Sequence, residues 1–431
     1  HNPIAHQPLP KLVGPGAKVT IAFDDMSGAA FRVRPPDFRQ QAIESLIEEL
    51  TGAGVALEDI RLLCAQGLHR KLTRLEMESF LGRRIVLGSG YSRLYSHDAE
   101  DGSANVHLGE TKRGFEVEVN RAVVDSDQLI YLNTMNSPFN GGWKSIVVGL
   151  GTYRNIRHHH RPFPGASGKS TDDPERSSFH KLIWEMGDVV KSELERKGRR
   201  IFTIETVYNN ATEKEMIGIF AGHPPEVHVE TLKVMSQQYT VDVEGQTDLL
   251  IAGLPNQDTY SKFSIINPLL VTNLGMAYTV SQFQNMPLLR EGGIAILCNP
   301  FLRQFDAARF APYVEFYERL LSQTLDPYQL WEENVEDFAH RPEYVHGYRY
   351  GYAYHGAHPF FMWNSTLVPR RYLSRIFFAG VRDFAAVRRC GFEPFATVEE
   401  AVREAEATLG PSCRVTLLQR PPAFIPRVIS P

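Results

Sequence analysis

The sequence has few cysteines, no long apolar run and no block of basic residues. A run of about 18 apolar residues is absent, which excludes an ordinary transmembrane helix. The net charge of -4, without a basic block, favours a small-molecule partner over nucleic acid or an anionic membrane. The 4 cysteines lie too far apart for the paired spacings of zinc sites, so we expect buried thiols in a reducing compartment. They are Cys64, Cys298, Cys390 and Cys413.

Two common ligand-binding motifs are also missing. In the segment around NGGWKS, Trp143 and Pro138 occupy the positions where a P-loop has glycines. His355 and His358 lack the intervening glutamate and the i, i+4 spacing of the HExxH zinc motif. The sequence therefore predicts neither a P-loop at Lys144 nor a zincin site.

The first residues, HNPIAHQPLPKL, lack the charged and then apolar pattern of a secretory signal peptide. We therefore expect a cytoplasmic protein. Because the sequence does not begin with Met, a leader can have been removed from it.

Short apolar runs alternate with helical patterns along most of the chain, which is typical of an α/β fold. Strands are predicted at Lys18–Phe23, Ile60–Ala65 and Arg84–Leu87. We predict two α/β domains with the active site in the cleft between them. The N-terminal domain covers residues 1–262 and holds the candidate site residues described below, and a smaller domain covers residues 263–431.

Polar residues follow the first two predicted strands. His69 lies between the second strand and a helix that Thr73 and Glu76 open with the spacing of a capping box. Asp24 and Asp25 follow the first strand. Open α/β sheets place catalytic groups at the carboxyl ends of strands, and a histidine there can act as a general base. The alternatives are a histidine that bonds loop backbone and an aspartate pair that caps a turn.

Three further features each allow two interpretations. Lys144 follows Gly141–Gly142 and is either a ligand contact on a tight turn or an ordinary surface lysine. His158–His160 is either a metal-binding group, in which adjacent side chains point in different directions, or a solvated loop. Trp363 and the aromatic run Tyr352–Phe361 either line a pocket or pack in a core.

The order of several motifs resembles one family. GLHRKLT, HDAEDG, GETKRGFEVEVNRAVVDSDQLI and NGGWKS, followed by His160, are similar to the nickel-pincer lactate racemases and their homologues among 2-hydroxy-acid racemases and epimerases. GLPN and NPLLVTNLG extend the likeness into the second half. The resemblance implies an isomerase that inverts C2 of a small-molecule 2-hydroxy acid by reversible hydride transfer.

In that family a lysine carries the cofactor, a nickel-pincer nucleotide that separate biosynthetic enzymes make. The protein therefore depends on those enzymes as partners, and we expect an apoprotein from a host that lacks them. The resemblance implies that Lys144 is the covalent anchor, that Gly141, Gly142 and Asp25 bind the cofactor, that His160 ligates nickel and that His69 is a catalytic base.

Several positions depart from the lactate racemase pattern. Thr134 replaces the second catalytic histidine, and Gly28 replaces an arginine. Gly275 and Tyr278 replace the substrate-binding glutamine and lysine. Threonine is not a base at neutral pH, and a small carboxylate loses its cationic clamp. We therefore predict a larger polyhydroxylated acid, such as an aldonic acid, with Thr134 at the catalytic centre and substrate contacts from Arg70, Tyr278 and Trp363.

Two alternatives from other classes stay open. The first is a homologue that binds the cofactor but has no racemase activity, which Thr134 favours. The second is a metal-dependent hydrolase that uses His158–His160. Cofactor loading and C2 hydrogen exchange separate the first from an epimerase, and bound zinc would favour the second.

Overall fold

A computed structural model describes residues 2–26, 32–88, 93–135, 137–162, 173, 176–211, 213–260, 263–419 and 424–430. The chain divides into two compact units. Unit 1 comprises the described residues within 1–27, 31–159 and 179–238, and unit 2 comprises those within 160–178 and 239–431. Both units are α/β, as predicted. The domain boundary at residue 262 and the cleft between domains stay predictions.

The first half of the chain contains ten strands and eight α-helices among its described residues. The strands are β1 Val19–Asp24, β2 Arg32–Val33, β3 Ile60–Ala65, β4 Leu94–Ser96, β5 Asn105–Glu110, β6 Glu116–Asn120, β7 Gln128–Met135, β8 Phe202–Tyr208, β9 Glu213–Lys214 and β10 Met216–Gly222. The helices are α1 Phe38–Gly52, α2 Arg74–Leu81, α3 Arg83–Leu87, α4 Ala122–Asp125, α5 Gly142–Val147, α6 Tyr153–His160, α7 Ser178–Arg196 and α8 Pro224–Tyr239.

A six-stranded sheet in the order β10-β8-β7-β1-β3-β4 forms the centre of unit 1. All neighbours pair in parallel except β10, which is antiparallel to β8. Alternate residues of β1 face opposite sides, so Ile21 and Phe23 pack in one core with Leu46 of α1, whereas Ala22 packs in another with Trp143 of α5. Apolar burial on both faces leaves the sheet edges for polar chemistry.

The predicted strand Arg84–Leu87 is wrong, because these residues belong to helix α3. Gly82 ends α2 with a φ of 79°, and the chain then begins a second short helix. Ile85 and Val86 are both buried. A short apolar run fits a buried helical turn as well as a buried strand, so its periodicity cannot distinguish the two.

Unit 2 contains the remaining described elements. Its strands are β11 Thr240–Glu244, β12 Thr247–Gly253, β13 Leu289–Cys298, β14 Arg375–Ala379, β15 Glu393–Phe395, β16 Val415–Leu418 and β17 Ile425–Ile429. Its helices are α9 Pro268–Gly275, α10 Ala311–Glu318, α11 Pro327–His340, α12 Pro342–Tyr350, α13 His358–Asn364, α14 Leu367–Tyr372, α15 Phe384–Arg389 and α16 Val398–Leu409.

The main sheet of unit 2 has the order β15-β14-β13-β12-β16, with every neighbouring pair parallel. Strands β11 and β17 pair separately. A π-helical turn, Met276–Val280, directly follows α9. Within the described residues, none of the helices combines the length and apolarity that crossing a bilayer requires.

A buried ion pair joins the loop after β3 to helix α2. The side chains of Arg70 and Glu76 are 1% and 3% exposed. Arg70 Nη2 bonds to Glu76 Oε1, and Arg70 Nη1 lies 3.1 Å from Glu76 Oε2. Glu76 also accepts a 2.8 Å hydrogen bond from the backbone N–H of Thr73, the N-cap of α2. Burial by itself raises the pKa of Glu76, but these hydrogen bonds outweigh it and lower the pKa to about 2.

Removing Arg70 should destabilise unit 1 strongly, because Glu76 would stay buried without its cation. We expect Arg70→Met to lower the free energy of unfolding by about 3 to 5 kcal/mol at pH 7. The matched control is Arg196→Met, which breaks an exposed pair with Glu193 and should cost less than about 1 kcal/mol. Urea unfolding of both variants measures the difference, and equal losses would contradict the assignment.

Candidate active site

Three neighbouring parallel strands bring the candidate residues to one edge of the unit 1 sheet. Strand β1 lies between β7 and β3, and Asp24 at its end is in register with Ala65 at the end of β3. His69 follows β3 after a turn in which its N–H donates to Gln66. Thr134 lies near the end of β7. The carboxyl ends of β7, β1 and β3 therefore form one candidate site.

Asp25 orients His69. The Asp25 Oδ2 atom lies 2.7 Å from His69 Nδ1, and the two side chains are 5% and 26% exposed. A carboxylate at Nδ1 selects the tautomer that carries its proton there, which leaves basicity at Nε2. The predicted position of His69 beside a strand-end aspartate is thus present, in the arrangement of a general base and its orienting group.

Asp24 bonds to residues of β7, the strand on the side of β1 away from β3. Its Oδ1 accepts a 2.9 Å hydrogen bond from the Tyr131 hydroxyl, and its Oδ2 accepts a 2.7 Å bond from the backbone N–H of Thr134. Burial raises the pKa of Asp24 to about 6, against these two hydrogen bonds and the charges of Lys144 and Arg39. Asp24 and Asp25 thus serve different partners, and neither side chain is a simple turn cap.

Arg39 of α1 fixes the backbone of this strand end. Its guanidinium donates to the carbonyl oxygens of Asp24, at 3.0 Å, and of Asp25. Its charge is balanced by Asp37, whose Oδ2 lies 2.8 Å from Arg39 Nη2 and whose side chain also caps α1. Arg39 was not predicted, because a helical arginine fifteen positions from Asp24 has no local signal that links it to a strand end.

Lys144 is half-buried on α5, on the same face of the sheet as Tyr131. Its Nζ donates a 2.6 Å hydrogen bond to Asn140 Oδ1 and lies 5.3 Å from the centre of the Phe139 ring. Burial lowers the pKa of the Lys144 amine, although the charges of Asp24 and Asp25 oppose this effect. This environment differs from that of an ordinary surface lysine, and it increases the fraction of nucleophilic neutral amine.

The turn that precedes Lys144 needs its glycines. Gly141 and Gly142 have φ angles of 87° and 53°, which residues other than glycine rarely adopt. The N–H of Gly142 donates a 2.6 Å hydrogen bond to Glu205 Oε1, and Glu205 is fully buried. His228 Nδ1 lies 3.3 Å from the other carboxylate oxygen. Glu205 was missed, although a lone acidic residue within the apolar strand IFTIETVY is a signal for it.

Thr134 has an unusual environment. Its backbone bonds to Asp24, whereas its Oγ1 is buried and makes no hydrogen bond within the described part of the chain. A buried hydroxyl without a partner costs free energy that a ligand could recover. Arg70, predicted to contact substrate, instead holds Glu76 in the buried pair described above.

The three histidines lie at the end of helix α6, so the interpretation as a solvated loop is wrong. His158 lies 3.5 Å from Glu116, and His159 is buried edge-on against Phe179. His160 belongs to unit 2, where its ring packs 4.6 Å from Phe361. Successive helical residues point about 100° apart, which gives each ring its own surroundings.

A shared metal site is not supported at these histidines. Among the residues that the structure describes, no group of three or more His, Cys, Asp or Glu side chains is placed to hold a metal ion. A single histidine ligand such as His160 needs no such cluster.

Tyr278 and Trp363, the two predicted substrate contacts in unit 2, differ in their burial. Tyr278 is half-buried in the π-helical turn, a feature that is frequent at functional sites. Trp363 is 1% exposed, donates its indole N–H to Leu325 O at 3.1 Å and packs near Phe316. These contacts are those of a packed core residue, the alternative that the sequence left open.

Comparisons with known proteins find similarity in the N-terminal part of the chain. Residues 1–171 match the family model Lar_N, the lactate racemase N-terminal domain. A lactate racemase from Lactiplantibacillus plantarum is 29% identical over 174 residues, which cover 39% of this chain and 38% of that protein. One from Thermoanaerobacterium thermosaccharolyticum is 23% identical over 191 residues, which cover 43% and 42%. The matched segments thus span less than half of either relative.

Two solved structures share the fold. The lactate racemase apoprotein from Thermoanaerobacterium thermosaccharolyticum has a TM-score of 0.69 and 18% identity over 99% of this chain and 90% of that chain. A protein from Thermotoga maritima has a TM-score of 0.58 and 15% identity, covering 98% and 96%. The family model and the two relatives confirm the resemblance of the N-terminal part of the chain to the lactate racemases, and the solved structures show the shared fold.

Replacing Gly141 should disturb the turn more than its φ angle alone explains. A Cβ at Gly141 would lie 2.6 Å from Glu205 Oε1 and 2.7 Å from His228 Nδ1, whereas one at Gly198, with a φ of 66°, would meet nothing within 4 Å. We expect Gly198→Ala to cost about 1 kcal/mol of unfolding free energy. Gly141→Ala should cost about 1 to 3 kcal/mol more. Urea unfolding measures both, and equal costs would show that the turn has room to adapt.

Proposed function

We propose that this chain, whose residues 1–171 match the lactate racemase N-terminal domain, is an isomerase that inverts C2 of a 2-hydroxy acid. The proposed reaction is a reversible hydride transfer with a nickel-pincer nucleotide tethered to Lys144. The observation that carries the proposal is the edge of the unit 1 sheet, where the Asp25–His69 pair, Asp24 and the half-buried Lys144 come together.

The residues around Lys144 fit a covalent anchor. Burial favours the neutral amine that can be acylated. An acylated Lys144 retains one N–H, which could still donate to Asn140 Oδ1. The glycines before it allow close approach of backbone to a ligand. When bound, the nucleotide and its nickel, ligated by His160, would supply a reversible hydride acceptor, which no amino-acid side chain can be.

His69 would move the proton. An imidazole oriented by Asp25 can take the hydroxyl proton of a 2-hydroxy acid at Nε2, and its protonated form can give a proton to the keto oxygen when the reaction runs in the other direction. His69 lies at the carboxyl ends of the strands and is 26% exposed, so a substrate in solution can reach it. Asp25 would orient His69 directly. At the end of β1 it would also lie beside the proposed cofactor site.

We propose a substrate larger than lactate, because the site offers a buried hydroxyl and Arg70 is engaged in an ion pair. The buried Oγ1 of Thr134 can accept or donate a hydrogen bond to an additional hydroxyl. Arg70 is held by Glu76, which leaves it poorly placed to clamp a small carboxylate. We therefore propose an aldonic acid or similar polyhydroxylated acid, with Tyr278 as a further contact.

One alternative retains a supporting observation. A cofactor-binding homologue without racemase activity would also keep Lys144, and Thr134 in place of a histidine favours it. A hydrolase at His158–His160 has less support, because His158 and His159 have separate surroundings.

Cofactor attachment is tested on protein produced together with the cofactor-making enzymes. We expect a mass adduct on the peptide that contains Lys144 and nickel near one equivalent per chain. Lys144→Arg should lose both, because guanidinium is not acylated under these conditions. The control Lys233→Arg alters an exposed lysine paired with Glu230 and should keep both. An unmodified Lys144 despite a verified cofactor supply would reject the proposed chemistry.

Turnover is tested on the loaded protein with a panel of 2-hydroxy acids. We expect C2 inversion of an aldonic acid and little or none of lactate, followed by proton or deuterium NMR. His69→Gln should lower the rate by about 100-fold or more, since general base catalysis typically contributes that much. Inversion of lactate alone would contradict the substrate proposal, and a loaded protein without any turnover would favour the binding homologue.

A further inference from the structure

We propose that Asp24 is the second proton-transfer group of the site and acts on the side of the substrate opposite His69. The proposal rests on the proposed function, in which the hydroxyl proton of each C2 epimer is taken up while the substrate is oxidised. The resemblance aligns Thr134 with one of two proton-transfer groups, a role that threonine does not fill at neutral pH. Asp24 is the titratable group that bonds to Thr134.

The strand order places Asp24 at this position. Strand β1 lies between β7, which carries Thr134, and β3, which leads to His69. Asp24 bonds to the β7 side through Tyr131 and the Thr134 N–H, whereas Asp25 bonds to His69 on the β3 side. The two adjacent carboxylates are thus directed to opposite neighbours. One orients a base, and the other has no imidazole to orient.

The carboxylate of Asp24 keeps the capacity to receive a proton. Each oxygen accepts one described hydrogen bond and has a second lone-pair direction available to a substrate hydroxyl. Thr134, whose backbone N–H bonds to Asp24, also has a buried Oγ1 that makes no hydrogen bond in the described chain. In the proposed complex a substrate hydroxyl bonds to both residues.

Charge near Asp24 links its basicity to the state of Lys144. Hydrogen bonds from Thr134 and Tyr131 and the charges of Lys144 and Arg39 favour the ionised form of Asp24. Asp25 and Cys64 are further titratable groups near this strand end. Burial already raises the pKa of Asp24 to about 6. Acylation of Lys144 removes an ammonium charge, so it should raise this pKa further toward neutrality, where proton transfer in both directions is efficient.

The proposed step balances. The hydroxyl proton of the substrate passes to the Asp24 carboxylate, which becomes a carboxylic acid. The C2 hydrogen leaves with its electron pair to the hydride acceptor named in the proposed function, and the C2–O bond becomes a carbonyl. When hydride returns to the other face of C2, the carbonyl oxygen takes a proton from the imidazolium form of His69. Proton exchange with solvent then returns Asp24 and His69 to their starting forms, and from the other epimer the two groups exchange roles.

The first experiment needs no cofactor. Carbon-13 NMR of the apoprotein, labelled at the aspartate carboxyl, should show one aspartate that titrates near pH 6 and is missing in Asp24→Asn. Tyr131→Phe removes a donor to the ionised form and should raise the pKa of that resonance. If every aspartate titrates in the ordinary range near pH 4, the proposal is overturned.

The second experiment uses the loaded enzyme and each of the two C2 epimers separately, with the transient 2-keto acid trapped by a hydrazine. We expect Asp24→Asn to slow keto-acid formation from one epimer by at least about 100-fold, and His69→Gln to slow it from the other. Asp24→Glu keeps a carboxylate and should recover part of the lost rate. Circular dichroism and urea unfolding establish that each variant is folded.

The outcomes separate the two proposals. Equal slowing of both epimers by Asp24→Asn would make Asp24 a positioning residue and overturn its assigned role. Wild-type protein that carries the adduct on Lys144 but forms no keto acid from either epimer would overturn the proposed function itself. Epimer-selective loss, together with the titration near pH 6, supports both.

Discussion

The parallel pairing of β1 with β7 on one side and β3 on the other is the constraint on which the site depends. It brings residues from three separate parts of the chain to one sheet edge and directs two adjacent carboxylates to different neighbours. Because parallel strands need long crossovers, the segments between them are free to supply α5 with Lys144 and the loop with His69. The pairing thus creates the site before any ligand is present.

Burial gives these polar groups their chemical character, and hydrogen bonds decide its direction. The Glu76 carboxylate receives charge-assisted bonds from Arg70 that outweigh desolvation, so it stays ionised and supports the fold. Within the described part of the chain, Asp24 accepts hydrogen bonds from a phenol and one backbone N–H, and desolvation prevails over these bonds and over the charges of Lys144 and Arg39. The pKa values of these two carboxylates in one unit are therefore shifted in opposite directions, to about 2 for Glu76 and about 6 for Asp24.

The support of Lys144 extends beyond the residues that sequence motifs emphasise. Glu205 on β8 holds the Gly142 N–H, and His228 on α8 lies against Glu205. Arg39 on α1 holds the carbonyl oxygens at the end of β1. Such supporting contacts form between elements that are distant in sequence, and a single sequence shows them only as isolated polar residues in apolar surroundings.

The sequence alone determined the α/β class, the glycine turn before Lys144 and the location of His69 after a strand, because periodicity, glycine pairs and capping spacings act over a few residues. Tertiary structure decided which partner each polar group took. It joined Asp24 to Thr134 and Arg70 to Glu76, and it gave His158, His159 and His160 separate surroundings. These outcomes depend on strand order and helix orientation, which long-range packing sets and no local pattern specifies.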